Sequence, residues 1–118
     1  VGSWKNDFER LAKQKEFSIK YSCYIVLKGA HTSISCPDGS CYFNSTGNPG
    51  MATGGSGDVL TGMILSLVAQ EYSPKHAAVF GTYLHGLAGD LAAKKSGPEA
   101  LTASSMTRFI GKAFKKIY

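Results

Sequence analysis

The spacing of apolar residues predicts a helix near the start of the chain. Asn6 stands where an N-cap is expected, and Glu9 follows three residues later, as in a capping box. Phe8, Leu11 and Ile19 then fall near the 3.6-residue period of an α-helix. We therefore expect a helix in this segment.

Three short strands are predicted next. The run Tyr-Ile-Val-Leu at residues 24–27 is too short for a buried helix and is predicted to be a central strand. Residues 32–36 and 40–43 flank the turn sequence Pro-Asp-Gly at 37–39. These two segments are predicted to pair as a β-hairpin at a sheet edge.

Helical spacing returns in the second half of the chain. Apolar residues predict a helix over about 58–70, and Ser73 with Pro74 predicts the cap and first position of a helix that reaches about Lys95. A last helix is predicted to start at Thr102 or Ser104.

The helix that starts after Ser73 has three interior glycines, Gly81, Gly86 and Gly89. An interior glycine destabilises a helix by about 1 kcal/mol relative to alanine. Their presence predicts very close packing against neighbouring segments.

The order helix, strand, hairpin, glycine loop and three helices predicts an α/β fold with few strands. The start of the chain has no initiator Met and no apolar signal segment. We therefore expect residues 1–118 to be the C-terminal part of a single domain whose N-terminal part supplies further strands. Alone, the chain is expected to self-associate through exposed apolar surface.

The amino-acid composition limits the kinds of ligand that this protein is expected to bind. Lys and Arg total 13 and Asp and Glu total 8, a net charge of +5 that suits phosphate-bearing small molecules. Nucleic-acid binding would require a denser basic stripe with interleaved aromatics. No apolar run is long enough to span a membrane. Cys23, Cys36 and Cys41 follow no metal-ligand spacing and are predicted to be reduced thiols.

The glycine-rich stretch at residues 47–57 predicts a phosphate-binding loop. Glycine backbones permit positive φ and close approach of an anion, and the N-terminus of the following helix adds N–H donors. Thr53 and Ser56 can add hydroxyl donors. The stretch matches neither a P-loop nor the complete dinucleotide-binding fingerprint, because no Lys follows the glycines and Leu60 replaces the third glycine.

Asp58, directly after the glycines, allows two interpretations. It is either a general base held against a substrate hydroxyl beside a transferring phosphoryl group, or only the cap of the helix. The residue pattern by itself leaves both open.

Three segments resemble the NAD(P)H-hydrate dehydratase family of the ribokinase-like superfamily. They are Gly-Gly-Ser-Gly-Asp at 54–58 within the longer string 47–62, Lys-Gly-Ala-His-Thr at 28–32, and residues 83–90. The resemblance implies a ribokinase-like α/β fold of which this chain is the C-terminal portion. It implies an ADP-dependent lyase that removes water from NADH or NADPH hydrate and restores the reduced cofactor.

The resemblance also implies roles for individual residues. Asp58 would be the catalytic base and would bind the hydrated nicotinamide. The residues implied to bind ADP or ATP are Lys28, Gly29, Ala30, His31, Thr32, Asn48, Gly50, Met51, Ala52, Thr53, Gly54, Gly55, Ser56 and Gly57. Mg²⁺ is expected with the nucleotide, although no dedicated metal cluster is visible.

The other expectations concern context and alternatives. We expect a cytoplasmic homo-oligomer that binds neither nucleic acid nor membrane, with an epimerase domain fused upstream in some relatives. The alternatives are a vitamin-precursor kinase of the same superfamily or a nucleotide-binding fragment inactive alone.

Ser105 stands where the family has an acidic residue, which is expected to alter only a helix cap. His85 and Asp90 are predicted to make packing and interelement contacts rather than to do chemistry.

Overall fold

The structure, a computed structural model, describes residues 6–29 and 31–117. The chain divides into two compact units at the boundary between Asn44 and Ser45. Each unit has its own secondary structure and is described by itself.

The first unit contains one helix and an antiparallel sheet. Helix α1 spans Asp7–Tyr21, and the Asn6 side chain accepts a hydrogen bond of 2.9 Å from the backbone N–H of Glu9, so the predicted N-cap is confirmed. The strands are β1 (Ile25–Leu27), β2 (Ser33–Ser35) and β3 (Cys41–Phe43), in the order β1-β2-β3. The predicted hairpin is confirmed, since β2 pairs antiparallel with β3.

The strand predicted at residues 24–27 is present as β1, and its central place in the sheet of the whole domain stays a prediction. Among the three strands described, β1 lies at one side and is only half-buried, whereas β2 lies in the middle and is buried along its whole length. The Gln14 side chain of α1 donates to the carbonyl of Ser33 at 3.3 Å and accepts from its hydroxyl at 2.9 Å. These hydrogen bonds satisfy the polar groups of a serine-containing strand, which is why it can be buried.

The second unit is helical. Its α-helices are α2 (Ser56–Ala69), α3 (Pro74–Ser96), α4 (Ala103–Arg108) and α5 (Ile110–Ile117), with short 3₁₀ helices at Pro49–Met51 and Pro98–Ala100. Helix α3 contributes to both buried apolar clusters. One contains Leu84, Ala88 and Ala113, and the other contains Ala92, Ala93, Leu101 and Met106.

The glycines of α3 allow close packing, as predicted. A Cβ at Gly81 would lie 2.9 Å from Cγ1 of Ile64 on α2, and Gly89 faces the side chain of Met51 in the same way. The predicted cap is also confirmed, because the Ser73 hydroxyl accepts from the N–H of His76 at 3.2 Å and Pro74 is the first helical residue.

The prediction of a single last helix is wrong, because α4 ends before Phe109 and α5 begins after it. The N–H of Phe109 bonds to the carbonyl of Met106, three residues back, at 3.0 Å. The Phe109 side chain packs against both apolar clusters, which favours the break. Thr102 and Ser105 form a reciprocal capping box at the start of α4, so Ser105 supplies the cap in place of an acidic residue.

Two further findings concern the cysteines and the lengths of the helices. Cys23, Cys36 and Cys41 are free thiols. Within residues 6–29 and 31–117, no helix combines the length and the apolar character needed to cross a membrane.

Candidate functional site

The glycine loop of the second unit is shaped by its own backbone and side chains. Gly47 and Gly55 have φ angles of 112° and 87°, which strongly favour glycine. The side-chain oxygen Oδ1 of Asn48 accepts from the N–H of Gly50 at 3.0 Å and caps the short helix Pro49–Met51. A residue with a Cβ at either glycine would therefore strain the loop.

Helix α2 begins at Ser56, two residues earlier than the apolar pattern predicts. Gly55 is its N-cap and has no side chain with which to bond the first turn. The first N–H groups of a helix have no intrahelical carbonyl partner, so the amides of Gly57 and Asp58 remain available to an anion. A Cβ at Gly54 would meet nothing within 4 Å, which leaves room above the loop. Two open amides and free space thus lie at the same end of α2.

Asp58 is the third residue of α2, and its side chain is exposed. The alternative in which Asp58 caps the helix is therefore wrong, since Gly55 holds that position. A carboxylate in the first turn is favoured by the helix dipole. It also stands directly beside the amides that would hold an anion, where it can reach a ligand.

Two side chains of α3 contact the ends of the loop. Asp90 accepts from the N–H of Gly47 at 3.0 Å and from Nδ2 of Asn48 at 2.8 Å, which confirms its predicted interelement role. His85 is buried, and its Nε2 lies 3.0 Å from the carbonyl oxygen of Ser56. Because a carbonyl only accepts, Nε2 must carry the proton, and the packing role predicted for His85 is confirmed.

The segment at 28–32 lies in the first unit. Lys28, Gly29 and His31 are exposed, Thr32 is half-buried, and Ala30 lies outside the described residues. Gly29 and His31 line a cleft of about 360 Å³ whose other lining residues include Phe8, Arg10, Leu11 and Phe43. The cleft can admit a small ligand beside a guanidinium group.

Sequence reasoning missed Arg10. A Cβ at Gly29 would lie 4.0 Å from a terminal nitrogen of Arg10, so this cation reaches the predicted nucleotide segment. Arg10 precedes the buried Gln14 by one helical turn on the inward face of α1. That spacing is the signal that could have identified it.

Ionisable groups outside these contacts include one perturbed thiol. Burial raises the pKa of Cys41, and the nearby positive charge of Lys15 opposes this rise. In residues 6–29 and 31–117, no three His, Cys, Asp or Glu side chains are grouped so that they could hold a metal ion.

The fold defines the class of the protein. A ribokinase-like superfamily protein from Enterococcus faecalis superposes with a TM-score of 0.63 at 37% identity, over 84% of this chain and 37% of that one. Crystalline ADP/ATP-dependent NAD(P)H-hydrate dehydratase from Bacillus subtilis, co-crystallised with ATP/Mg²⁺, superposes with a TM-score of 0.88 at 37% identity, over 94% and 40%. The predicted ribokinase-like fold is confirmed.

Sequence comparison then gives the family. The family model for NAD(P)H-hydrate dehydratase matches residues 2–112. The bifunctional NAD(P)H-hydrate repair enzyme Nnr of Moorella thermoacetica is 48% identical over 102 residues, which cover 86% of this chain and 19% of that enzyme. The chain belongs to the NAD(P)H-hydrate dehydratase family. It spans about two fifths of the B. subtilis enzyme and about one fifth of the bifunctional one.

Proposed function

We propose that this chain is the C-terminal part of an enzyme that uses ADP to dehydrate NADH or NADPH hydrate and so restores the reduced cofactor. The observation that carries the proposal is the exposed carboxylate of Asp58 in the first turn of α2, directly after a glycine loop with open backbone amides. The proposed reaction is the one for which the family is named, and the geometry of the loop supports it.

Asp58 acts as the general base. Its carboxylate accepts the proton of the hydrate hydroxyl as the oxygen bonds to the terminal phosphorus of ADP and AMP leaves. The C–O bond then breaks with its electron pair going to the departing phosphate, and that phosphate takes up the proton that the neighbouring ring carbon loses as the double bond forms, while Asp58 returns its own proton to solvent. The products are AMP, inorganic phosphate and the reduced nicotinamide.

The loop binds and orients the phosphates. The amides of Gly57 and Asp58, the hydroxyl of Thr53 and the positive end of α2 stabilise the charge on the transferring group. Ser56 is buried, with its hydroxyl 3.5 Å from Nε2 of His85, and helps to fix the start of α2. The other loop residues implied for binding, Asn48, Gly50, Met51, Ala52, Gly54 and Gly55, keep the backbone close to that group. Mg²⁺, when bound, neutralises phosphate charge, and we propose that it is held mainly by the nucleotide.

The nucleotide segment of the first unit binds the adenosine part of ADP or ATP. Lys28 and His31 are exposed and able to contact a ligand, and Gly29 lines the cleft that also contains Arg10. We assign Arg10 to the same segment, because a planar guanidinium can stack on an aromatic ring such as adenine. Ala30 and Thr32 complete this segment.

The wider context of the enzyme belongs to the same proposal. We propose that residues 1–118 form one domain with an N-terminal part that supplies further strands and most of the substrate pocket. We further propose that the enzyme is a cytoplasmic homo-oligomer, that NADH or NADPH hydrate and an adenine nucleotide are its ligands, and that nucleic acid is not.

The fate of the phosphoryl group tests the proposed function. The full gene product is incubated with NADH hydrate, ADP and Mg²⁺, and inorganic phosphate is measured with the absorbance of reduced nicotinamide. A dehydratase releases one phosphate for each cofactor restored. Nucleotide-dependent phosphorylation of a vitamin precursor, without any recovery of NADH, would overturn the proposal in favour of the kinase.

A further inference from the structure

The loop that carries Asn48 and the 3₁₀ helix is attached to α3 through one carboxylate. Asp90 uses both of its oxygens, one for the N–H of Gly47 and one for Nδ2 of Asn48, at 3.0 and 2.8 Å. The side-chain oxygen Oδ1 of Asn48 in turn accepts from the N–H of Gly50. A chain of hydrogen bonds therefore runs from α3 to the backbone of the loop.

The other end of the loop is attached independently. His85, five residues before Asp90 on α3, bonds to the carbonyl of Ser56 at the start of α2. Between these two contacts, Gly86 and Gly89 let Thr46 and Met51 approach α3 closely. One face of α3 thus supports the loop along its length, with separate anchors at the two ends.

We propose that Asp90 is a positioning residue for nucleotide binding: it sets the geometry of residues 47–50 so that the loop is ordered before the nucleotide arrives. The inference rests on the proposed function for the identity of the ligand. Ordering a loop in advance removes an entropic cost from binding. Because His85 anchors the end next to Asp58, loss of the Asp90 contacts affects nucleotide affinity more than the chemical step.

The orientation of donors and acceptors gives a specific test. In Asp90→Asn, the amide offers one acceptor and one NH₂ group, so one of the two donors, Gly47 N–H or Asn48 Nδ2, loses its acceptor. The double variant N48D/D90N restores the pattern. The amide introduced at position 90 accepts from Gly47 through its carbonyl, and its NH₂ group donates to the carboxylate introduced at position 48, which also accepts from Gly50. The control is Glu71→Gln, which changes an exposed carboxylate after α2.

The experiment uses the full gene product and measures ADP affinity, ADP-dependent turnover and amide hydrogen exchange without ligand. Asp90→Asn is expected to raise the Kd and KM for ADP by about tenfold, with kcat within about threefold of wild type. Exchange is expected to accelerate at Gly47 and Gly50 but not at Val59 in α2. The double variant is expected to recover slow amide exchange at Gly47 and Gly50, and Glu71→Gln to resemble wild type.

Several outcomes would overturn the inference. These are unchanged ADP affinity in Asp90→Asn, a double variant in which exchange at Gly47 and Gly50 is as fast as in the single variant, or exchange that accelerates equally throughout the second unit. The last outcome, or failure of Asp90→Asn to fold while N48D/D90N also fails, would make Asp90 a general stability residue. If wild type binds no ADP, the proposed function fails separately, and the exchange rates of Gly47 and Gly50 still decide whether Asp90 orders the loop.

Discussion

Thr46 occupies the space that a side chain at position 86 would need. A Cβ at Gly86 would lie 2.7 Å from the carbonyl carbon of Thr46, and the Thr46 hydroxyl donates to the backbone carbonyl of Tyr83 at 2.8 Å. The start of the loop therefore packs directly on the backbone of α3. This contact explains why a long buried helix retains a glycine in its interior.

Replacement of Gly86 by alanine is expected to destabilise the protein by about 1–3 kcal/mol, because the obstructing atoms include the carbonyl carbon and Cβ of Thr46, and overpacking against them forces a backbone shift. The matched control is Gly62→Ala in α2, where a Cβ meets nothing within 4 Å. That change is expected to stabilise the helix by up to about 1 kcal/mol. Thermal unfolding of the two variants of the full gene product measures both effects.

The two alanine variants must therefore move the melting temperature in opposite directions. Equal stability of Gly86→Ala and wild type would show that the start of the loop is not held against α3. A Gly89→Ala variant should be less affected than Gly86→Ala, since the flexible end of Met51 can move away.

The thiol of Cys41 is expected to react slowly in the folded protein. Burial raises its pKa, so less of it is thiolate near neutral pH. Alkylation by iodoacetamide at about pH 8–9, followed by mass spectrometry, should label Cys41 more slowly in native than in denatured protein. A rate equal to that of the denatured protein would contradict the burial of this thiol.

The raised pKa of Cys41 also affects the stability of the folded protein. A raised pKa means that the folded state favours the neutral thiol. Its contribution to stability is complete below the ordinary thiol pKa and is lost as the pH rises through the raised value. The free energy of unfolding should therefore fall in the alkaline range, and Cys41→Ser should reduce that fall.

The 118-residue chain alone is expected to self-associate. Phe8, Phe43 and Leu65 are large apolar side chains with exposed fractions of 88%, 62% and 67%. Such exposure favours association. Sedimentation velocity should show oligomers or aggregates, and Phe8→Gln with Phe43→Gln should reduce them. A monodisperse monomer that melts cooperatively would contradict this prediction.

The sequence predicted the elements better than their ends. The period of apolar residues identified α1 and α2, and the Pro-Asp-Gly turn identified the hairpin. The cap residues Asn6 and Ser73 were correct because their side chains make the capping hydrogen bond. The start of α2 was placed too late, because its N-cap is Gly55, which has no side chain to signal it. The break at Phe109 was missed because apolar residues on both sides keep helical spacing.

The contacts of the candidate site depended on tertiary structure. The interior glycines of α3 indicated close packing, but no local pattern identifies Thr46 and Met51 as the partners. Asp90 was expected to bond to another element, yet only the structure identifies that element as the loop at Gly47 and Asn48. Burial of β2 was also unpredictable, since it requires a hydrogen bond from Ser33 to Gln14, which is 19 residues earlier in the sequence.

Asp58→Asn tests the central claim most directly. The full gene product and this variant are compared for recovery of reduced-nicotinamide absorbance from NADH hydrate and for ADP binding, with Glu99→Gln, at an exposed carboxylate, as control. Loss of a general base lowers turnover by about 10²–10⁴-fold, while the isosteric amide should leave the Kd for ADP within about threefold. Recovery at the wild-type rate in Asp58→Asn would contradict the assignment of Asp58 as the catalytic base.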